Sequence, residues 1–179
     1  MGNLVRVDSS WTLFLDRDGV INERVFGAYI LNFNDFHFKK GVLETAKELF
    51  SKFGRVIVVT NQQCVAKDLI SLDSLNVLHG KMKSEFQHVG ARIDQIYVAV
   101  ERKDEAPFMR KPNSKMAELA KMEFPEIDFN KSIMVGDTDG DLMFGKKLGM
   151  KTVLIRSEEK ISEDRDLELD HLGDLIKFI

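Results

Sequence analysis

Five short apolar runs, separated by amphipathic stretches, constrain most strongly how this chain can fold. The runs predict strands at 11–15, 55–59, 95–100, 132–135 and 151–155. Between most of them, apolar residues recur every three or four positions, which is the spacing of a helix that packs on a sheet. Strands that alternate with helices form a parallel sheet covered on both faces. The sequence therefore predicts an α/β fold with a central parallel sheet.

The same periodicity predicts where the helices lie. We expect helices at 42–53, at 75–89, after Pro112 with Asn113 or Ser114 as the cap, and at 139–148, ended by Gly149. Residues 22–38 and 101–112 are predicted loops, and the acidic stretch 158–170 is predicted to be a solvated connection to a last short helix at 172–179. The chain of 179 residues is predicted to form a single domain, residues 1–179.

Composition excludes several classes of protein. The net charge of −3 lacks the basic bias of nucleic-acid binders, and the single Cys64 excludes an intramolecular disulfide and a multi-cysteine zinc site. No apolar stretch approaches the roughly 18–20 residues that span a bilayer. The first ten residues lack the apolar core of a signal peptide. We therefore expect a soluble cytoplasmic protein with no nucleic-acid or membrane partner.

Polar side chains follow four of the predicted strands, three of them directly at the strand end and the third along the chain where the next helix opens. They are Asp16-Arg17-Asp18-Gly19, Thr60-Asn61-Gln62, Arg110-Lys111-Pro112 and Gly136-Asp137-Thr138-Asp139-Gly140-Asp141. The carboxyl ends of parallel strands meet at one edge of the sheet, which is where α/β proteins bind ligands. In an extended chain, residues two apart point the same way, so Asp16 and Asp18 are expected to face one small volume.

This set of groups suits phosphoryl transfer. Carboxylates from separate strands can hold Mg²⁺, which prefers oxygen ligands, while a hydroxyl, backbone N–H groups and a lysine neutralise a phosphoryl group. One carboxylate is then free to attack phosphorus, and a second can protonate the leaving oxygen and later activate water.

In this order and spacing, the four motifs resemble the haloacid-dehalogenase (HAD) superfamily of phosphohydrolases over essentially the whole chain. The stretch Phe14–Asn22, then Thr60-Asn61-Gln62 and Arg110-Lys111-Pro112, is similar to the branch of heptose-bisphosphate and histidinol-phosphate phosphatases. The resemblance implies a Rossmann-like (HAD-like) three-layer sandwich. The segments after the first and second motifs hold little more than a helix and loops, so we expect no cap domain.

The resemblance also implies roles for individual residues. Asp16 would be the nucleophile and Asp18 the general acid and base. Thr60, Asn61 and Gln62 would bind the transferring phosphoryl group with Lys111, and Arg110 would lean towards the distal part of the substrate. Asp16, Asp137 and the backbone carbonyl of Asp18 would hold Mg²⁺, supported by Asp141.

One loop departs from the relatives. Many members of the branch carry a zinc-binding Cys/His loop just before Arg-Lys-Pro, but residues 100–109 contain neither Cys nor His. We expect no zinc there, because tetrahedral zinc sites need sulfur or nitrogen ligands.

Three functions are compatible with these motifs. A Mg²⁺-dependent phosphatase of a small phosphorylated metabolite is favoured, with a heptose 1,7-bisphosphate (as a 7-phosphatase) first and histidinol phosphate second. A nucleic-acid 3′-phosphatase shares Thr-Asn-Gln but needs more basic charge. A non-catalytic binding module is disfavoured because Asp16, Asp18, Lys111 and Asp137 are all present.

Other side chains are interpreted structurally. The aromatic residues of 26–38 are expected to pin their loop onto the core, with a substrate-facing wall as the alternative. The four histidines, His79 among them, are assigned to helix positions and the surface. Cys64 is interpreted as a small buried residue.

Overall fold

A computed structural model describes residues 4–106 and 108–179. Residues 1–3 and Pro107, which the domain and loop predictions include, lie outside the described residues. Strands β1–β6 span Thr12–Leu15, Arg55–Asn61, Gln95–Ala99, Ser132–Gly136, Lys151–Ile155 and Leu167–Leu169. Helices α1–α4 span Val42–Ser51, Leu72–His88, Lys115–Glu123 and Asp139–Leu148, and 3-10 helices span Phe33–Asp35, Phe129–Lys131 and Leu172–Phe178.

The strands form one parallel sheet in the order β3-β2-β1-β4-β5-β6. The chain first winds outwards from β1 to β3, then returns to the other side of β1 with β4. The strand order therefore reverses beside β1, where α/β sheets open a crevice beyond the carboxyl ends of their strands. This topology confirms the α/β fold.

Alternating side chains on the central strands pack into two separate hydrophobic cores, one on each face of the sheet. Leu13 and Leu15 of β1 pack on one face with α1, α2 and the C-terminal 3-10 helix, whereas Phe14 packs on the other with α3 and α4. Both faces of the sheet are therefore covered, as near-continuous apolar strands require. The result is a three-layer sandwich, which confirms the fold that the resemblance implies.

The acidic stretch was only partly interpreted correctly. Residues 158–170 contain β6, which pairs in parallel with β5, so they are not simply a solvated connection. Asp166 accepts hydrogen bonds from the backbone and hydroxyl of Thr152, and this places the short strand against β5. Since β6 has three residues and one buried side chain, Leu169, its sequence carries too little alternation to be recognised.

Residues 16–41 and 62–94, all described, contain loops, one 3-10 helix and α2, but no cap domain. Within the first segment, Phe33 stacks on Phe36, and edge-to-face contacts continue from Phe36 through Phe38 to Phe86 of α2. These three rings pin the loop to the core, whereas Tyr29 lines the cavity at the sheet edge. Among the described residues, no helix combines the length and the apolar character needed to span a membrane.

Candidate active site

A cavity of about 460 Å³ opens at the carboxyl edge of β1, β2 and β4. Most of the predicted site residues line it: Asp16, Asp18, Asn61, Gln62, Arg110, Lys111 and Asp141. Thr60 and Asp137 are fully buried directly behind this lining. The motifs at four strand ends therefore meet in one place.

Lys111 occupies the centre of the site. Its Nζ lies 2.8 Å from Oδ1 of Asp16 and 2.6 Å from Oδ1 of Asp141, and it donates to the carbonyl of Val59 at 2.7 Å. Burial alone would lower the pKa of Lys111, but the two carboxylates outweigh it and raise the pKa above its ordinary value. The ammonium is thus a fixed positive charge beside Asp16.

Three carboxylates surround a point next to this ammonium. One oxygen each from Asp16, Asp137 and Asp141 lies within 4.8 Å of the others. Burial raises the pKa of Asp137 to about 7, reinforced by Asp16 and Asp141. Burial likewise raises the pKa of Asp16 to about 6, against the opposing effect of Lys111. Close like charges in a buried site disfavour ionisation, so this arrangement is suited to a cation.

The donor set fits a divalent ion. Asp141 is committed elsewhere, since its Oδ2 accepts from the N–H and hydroxyl of Thr138 and its Oδ1 faces Lys111. Oδ1 of Asp137, in contrast, is buried and accepts no hydrogen bond from the described residues. Oxygen ligands from Asp16 and Asp137 are what hard cations such as Mg²⁺ prefer. These residues can hold a metal.

Asp18 is held by a separate network. It accepts hydrogen bonds from Arg17 at 2.8 Å, Asn22 at 2.9 Å and Gln62 at 2.7 Å. Burial alone would raise the pKa of Asp18, but the Arg17 guanidinium and these hydrogen bonds outweigh it and lower the pKa. Asp16 and Asp18 are two residues apart, yet their environments push their pKa values in opposite directions.

Arg17 and His79 were not recognised from sequence as parts of this network. Arg17 is only 1% exposed, and its Nη1 lies 3.0 Å from Nε2 of His79 on α2. His79 lies on a helix as expected, but its assignment to the surface was wrong, because the ring is buried against Arg17. Burial lowers the pKa of His79 to about 3, and Arg17 adds to the shift. A neutral imidazole therefore accepts a hydrogen bond from the arginine that orients Asp18.

The second motif holds the framework of the site. Asn61 exchanges hydrogen bonds with the backbone of Lys111, accepting from its N–H at 3.0 Å and donating to its carbonyl at 3.4 Å. Gln62 donates to the Thr60 hydroxyl at 2.9 Å as well as to Asp18. The end of β2 and the residue after it are thus tied to Lys111 and Asp18.

Arg24 also reaches the carboxylate cluster from the loop after β1. Its Nη1 lies 3.1 Å from Oδ2 of Asp137, and its Nη2 lies 2.8 Å from Glu159 in the acidic stretch. An isolated arginine in a loop gives no sequence signal of this contact, because its partner is 113 positions away.

Positive groups other than Lys111 also line the cavity. Nη1 of Arg110 is buried and donates to none of the described residues, while Lys67 donates to the Tyr29 hydroxyl at 2.8 Å. Arg24, Lys67 and Arg110 all line the cavity. If one anionic group of a ligand bound beside Lys111, a second anionic group could bind these cationic side chains.

The fold and this site define a phosphatase of the HAD type. A family described as HAD-hydrolase-like matches residues 108–176. The D-glycero-alpha-D-manno-heptose-1,7-bisphosphate 7-phosphatase of Mycobacterium bovis is 34% identical over 137 residues, which cover 76% of this chain and 72% of the relative. The enzyme of the same description from Campylobacter jejuni is 31% identical, over 93% of this chain and 94% of the relative.

Solved structures agree on the fold. A D,D-heptose 1,7-bisphosphate phosphatase from B. bronchiseptica, complexed with magnesium and phosphate, superimposes with a TM-score of 0.75 and 24% identity. The match covers 86% of this chain and 93% of that one. The chain belongs to the family of HAD-type phosphatases that contains the heptose-bisphosphate 7-phosphatases.

Proposed function

We propose that this protein is a Mg²⁺-dependent phosphatase that removes the 7-phosphate of D-glycero-D-manno-heptose 1,7-bisphosphate through an aspartyl-phosphate intermediate. The relatives that are 34% and 31% identical carry this activity in their names. The observation that carries the proposal is the contact of Lys111 with Asp16 beside the Asp137 carboxylate. These groups supply a nucleophile, a counter-charge and a cation site in one cavity.

Asp16 is the proposed nucleophile. Among the described residues, its carboxylate has two hydrogen-bonding partners, the backbone N–H of Arg17 and the ammonium of Lys111. Both of them contact Oδ1. Oδ2 is therefore the oxygen available to attack phosphorus. Lys111 stabilises negative charge that develops on the phosphoryl oxygens beside it. Asp16, Asp137 and the carbonyl of Asp18 would hold Mg²⁺, which neutralises further phosphoryl charge when it is bound.

Asp18 is the proposed acid and base. Its lowered pKa keeps it ionised in the free enzyme, which is the form needed to activate water against the aspartyl phosphate. The approach of an anionic phosphoryl group disfavours that ionised form and raises the pKa of Asp18. The carboxyl can then donate its proton to the departing sugar oxygen.

A bisphosphate is the substrate class that suits the cavity. Lys111 neutralises the phosphate that reacts, while Arg110 and Lys67 remain for a second phosphate. The small phosphorylated metabolite is thus the only partner that the mechanism requires. We also infer a cytoplasmic role in carbohydrate metabolism.

Substrate comparison tests this proposal. Phosphate release is measured with Mg²⁺ for heptose 1,7-bisphosphate, histidinol phosphate and a 3′-phosphorylated oligonucleotide, each repeated after EDTA treatment. We expect the highest kcat/KM with the heptose bisphosphate and loss of turnover in EDTA. A higher kcat/KM with either other substrate, or undiminished turnover in EDTA, would contradict the proposal.

A further inference from the structure

The carboxylate of Glu101 binds three consecutive backbone N–H groups of the loop that leads into Arg110 and Lys111. Its Oε1 accepts from Phe108 at 3.0 Å, and its Oε2 accepts from Met109 at 2.7 Å and from Arg110 at 3.0 Å. Glu101 lies two residues after the end of β3, so this carboxylate ties the chain that leaves β3 to the backbone of residues 108–110.

The next N–H along the chain is held by a different strand. The N–H of Lys111 donates to Oδ1 of Asn61, at the end of β2. Four successive N–H groups, from 108 to 111, are therefore fixed by two side chains. The fourth of these N–H groups belongs to Lys111, whose side chain contacts Asp16. The fixed stretch of backbone therefore extends to the centre of the site.

Arg110 depends on this loop more than Lys111 does. The Lys111 ammonium is anchored independently by Asp16, Asp141 and Val59. The Arg110 guanidinium has no ion-pair partner among the described residues, and its Nη1 donates to none of them. Its direction into the cavity is therefore determined largely by its backbone, which Glu101 fixes.

We propose that Glu101 is a positioning residue that holds the backbone of residues 108–110 so that Arg110 faces the distal part of the substrate. The proposal rests on the function proposed above, because it needs a substrate that reaches Arg110. A carboxylate suits this task, since hydrogen bonds from N–H groups to a charged acceptor are stronger than those between neutral groups. No Cys or His lies in residues 100–109 to hold the loop with a metal instead.

The chemical state of Glu101 agrees with this geometry. Desolvation alone would raise its pKa, but the N–H groups of Met109, Phe108 and Arg110 together lower it. The carboxylate is therefore charged throughout the neutral range, which is the form that accepts these hydrogen bonds most strongly.

The variant Glu101→Ala tests the proposal, with Glu105→Ala as the matched control. Glu105 lies in the same loop and pairs only with Arg102 among the described residues. We expect Glu101→Ala to raise KM for heptose 1,7-bisphosphate about tenfold while kcat changes much less, as loss of orientation at a binding group implies. Amide hydrogen exchange at 108–110 should accelerate, and the control should match the wild type in both measurements.

A double-mutant cycle tests whether Glu101→Ala raises KM through Arg110. In an Arg110→Ala background, Glu101→Ala should raise KM no further, because the residue that it positions is gone. An equal increase in both backgrounds, or wild-type exchange at 108–110 in Glu101→Ala, would overturn the proposal. If the wild type hydrolyses p-nitrophenyl phosphate but not the bisphosphate, the proposed function fails, and hydrogen exchange still decides the role of Glu101.

Discussion

Nη1 of Arg24 lies 3.1 Å from Oδ2 of Asp137, so a loop arginine pairs with an almost fully buried carboxylate of the site. The same contact puts a positive charge next to the point where Asp16 and Asp137 would hold a divalent cation. Arg24 and a metal ion therefore compete electrostatically for Asp137.

Removal of Arg24 should strengthen metal binding. We expect Arg24→Ala to lower the Kd for Mg²⁺ about fivefold, which corresponds to ~1 kcal/mol for a partly exposed ion pair. Titration calorimetry at constant ionic strength measures the change. Arg102→Ala, which removes the same charge from a loop arginine that pairs only with Asp104 and Glu105 among the described residues, should leave Kd unchanged. Weaker Mg²⁺ binding in Arg24→Ala would show that Arg24 supports the site instead.

Gly19 is required both by backbone geometry and by Asp137. Its φ of +88° lies in the left-handed region, and a Cβ there would overlap the Asp137 carboxylate. Gly27 has a similar φ of +73° but open space around it. We expect Gly27→Ala to cost only the backbone penalty of about 1 kcal/mol in unfolding free energy. Gly19→Ala should cost more and reduce kcat at least ~10-fold by displacing Asp137.

Urea denaturation and p-nitrophenyl phosphate hydrolysis measure these two effects. Because the pair shares the backbone penalty, the difference between the two variants isolates the contact with Asp137. Equal kcat values in Gly19→Ala and Gly27→Ala would mean that the position of Asp137 does not matter for turnover.

His79 should make stability depend on pH. Burial and Arg17 lower its pKa from 6.5 to about 3. Between pH 6.5 and about pH 3, the imidazole is therefore protonated in the unfolded chain but neutral in the folded chain. The stabilisation is complete above about pH 6.5 and is lost as pH falls. Between about pH 7 and about pH 4, the wild type should lose roughly 3 kcal/mol relative to His79→Gln, which does not titrate.

Urea unfolding at a series of pH values measures this difference. His88→Gln, at the exposed end of the same helix, is the matched control and should follow the wild type. A gap between wild type and His79→Gln that stays constant with pH would show that the buried imidazole is not held neutral.

Metal binding should release protons. Without metal, the raised pKa values of Asp16, about 6, and Asp137, about 7, mean that the folded state binds protons more tightly than the unfolded chain. Their contribution to stability is therefore present at low pH and is lost as pH rises through these values. Mg²⁺ should bind more weakly as the pH falls through these values, and near pH ~6.5 it should release close to one proton. Calorimetry in two buffers of different ionisation enthalpy counts that proton, and a count of zero would contradict the raised pKa values.

Sequence periodicity was sufficient for the fold because the central strands are buried on both faces. β5 was predicted at Lys151–Ile155 as observed, and the other four predicted strands differ by one or two residues at an end. β6 could not be predicted, since its pairing depends on contact with β5 rather than on its own three residues. A strand that is buried on both faces is visible in the sequence as a run of apolar residues. A short edge strand that is held mainly by pairing leaves no such run.

The same distinction applies to the site. Residues that directly follow strands, such as Asp16 and Asp137, are brought to one edge by topology, so their proximity could be inferred from order alone. Arg17, Arg24, His79 and Glu101 act through side-chain contacts with partners that are distant in sequence or hidden in a loop. Nothing in the local pattern of residues distinguishes His79 from other helix residues, and only the packed structure shows its contact with Arg17.

Direct detection of a phosphorylated Asp16 tests the central claim most sharply. The wild type is mixed with heptose 1,7-bisphosphate and Mg²⁺, quenched rapidly in acid, and digested for mass spectrometry. We predict that the peptide containing Asp16 gains the mass of one phosphoryl group, and that Asp16→Asn shows neither this gain nor turnover. Turnover retained by Asp16→Asn, or a phosphoryl group found on another residue, would contradict the mechanism.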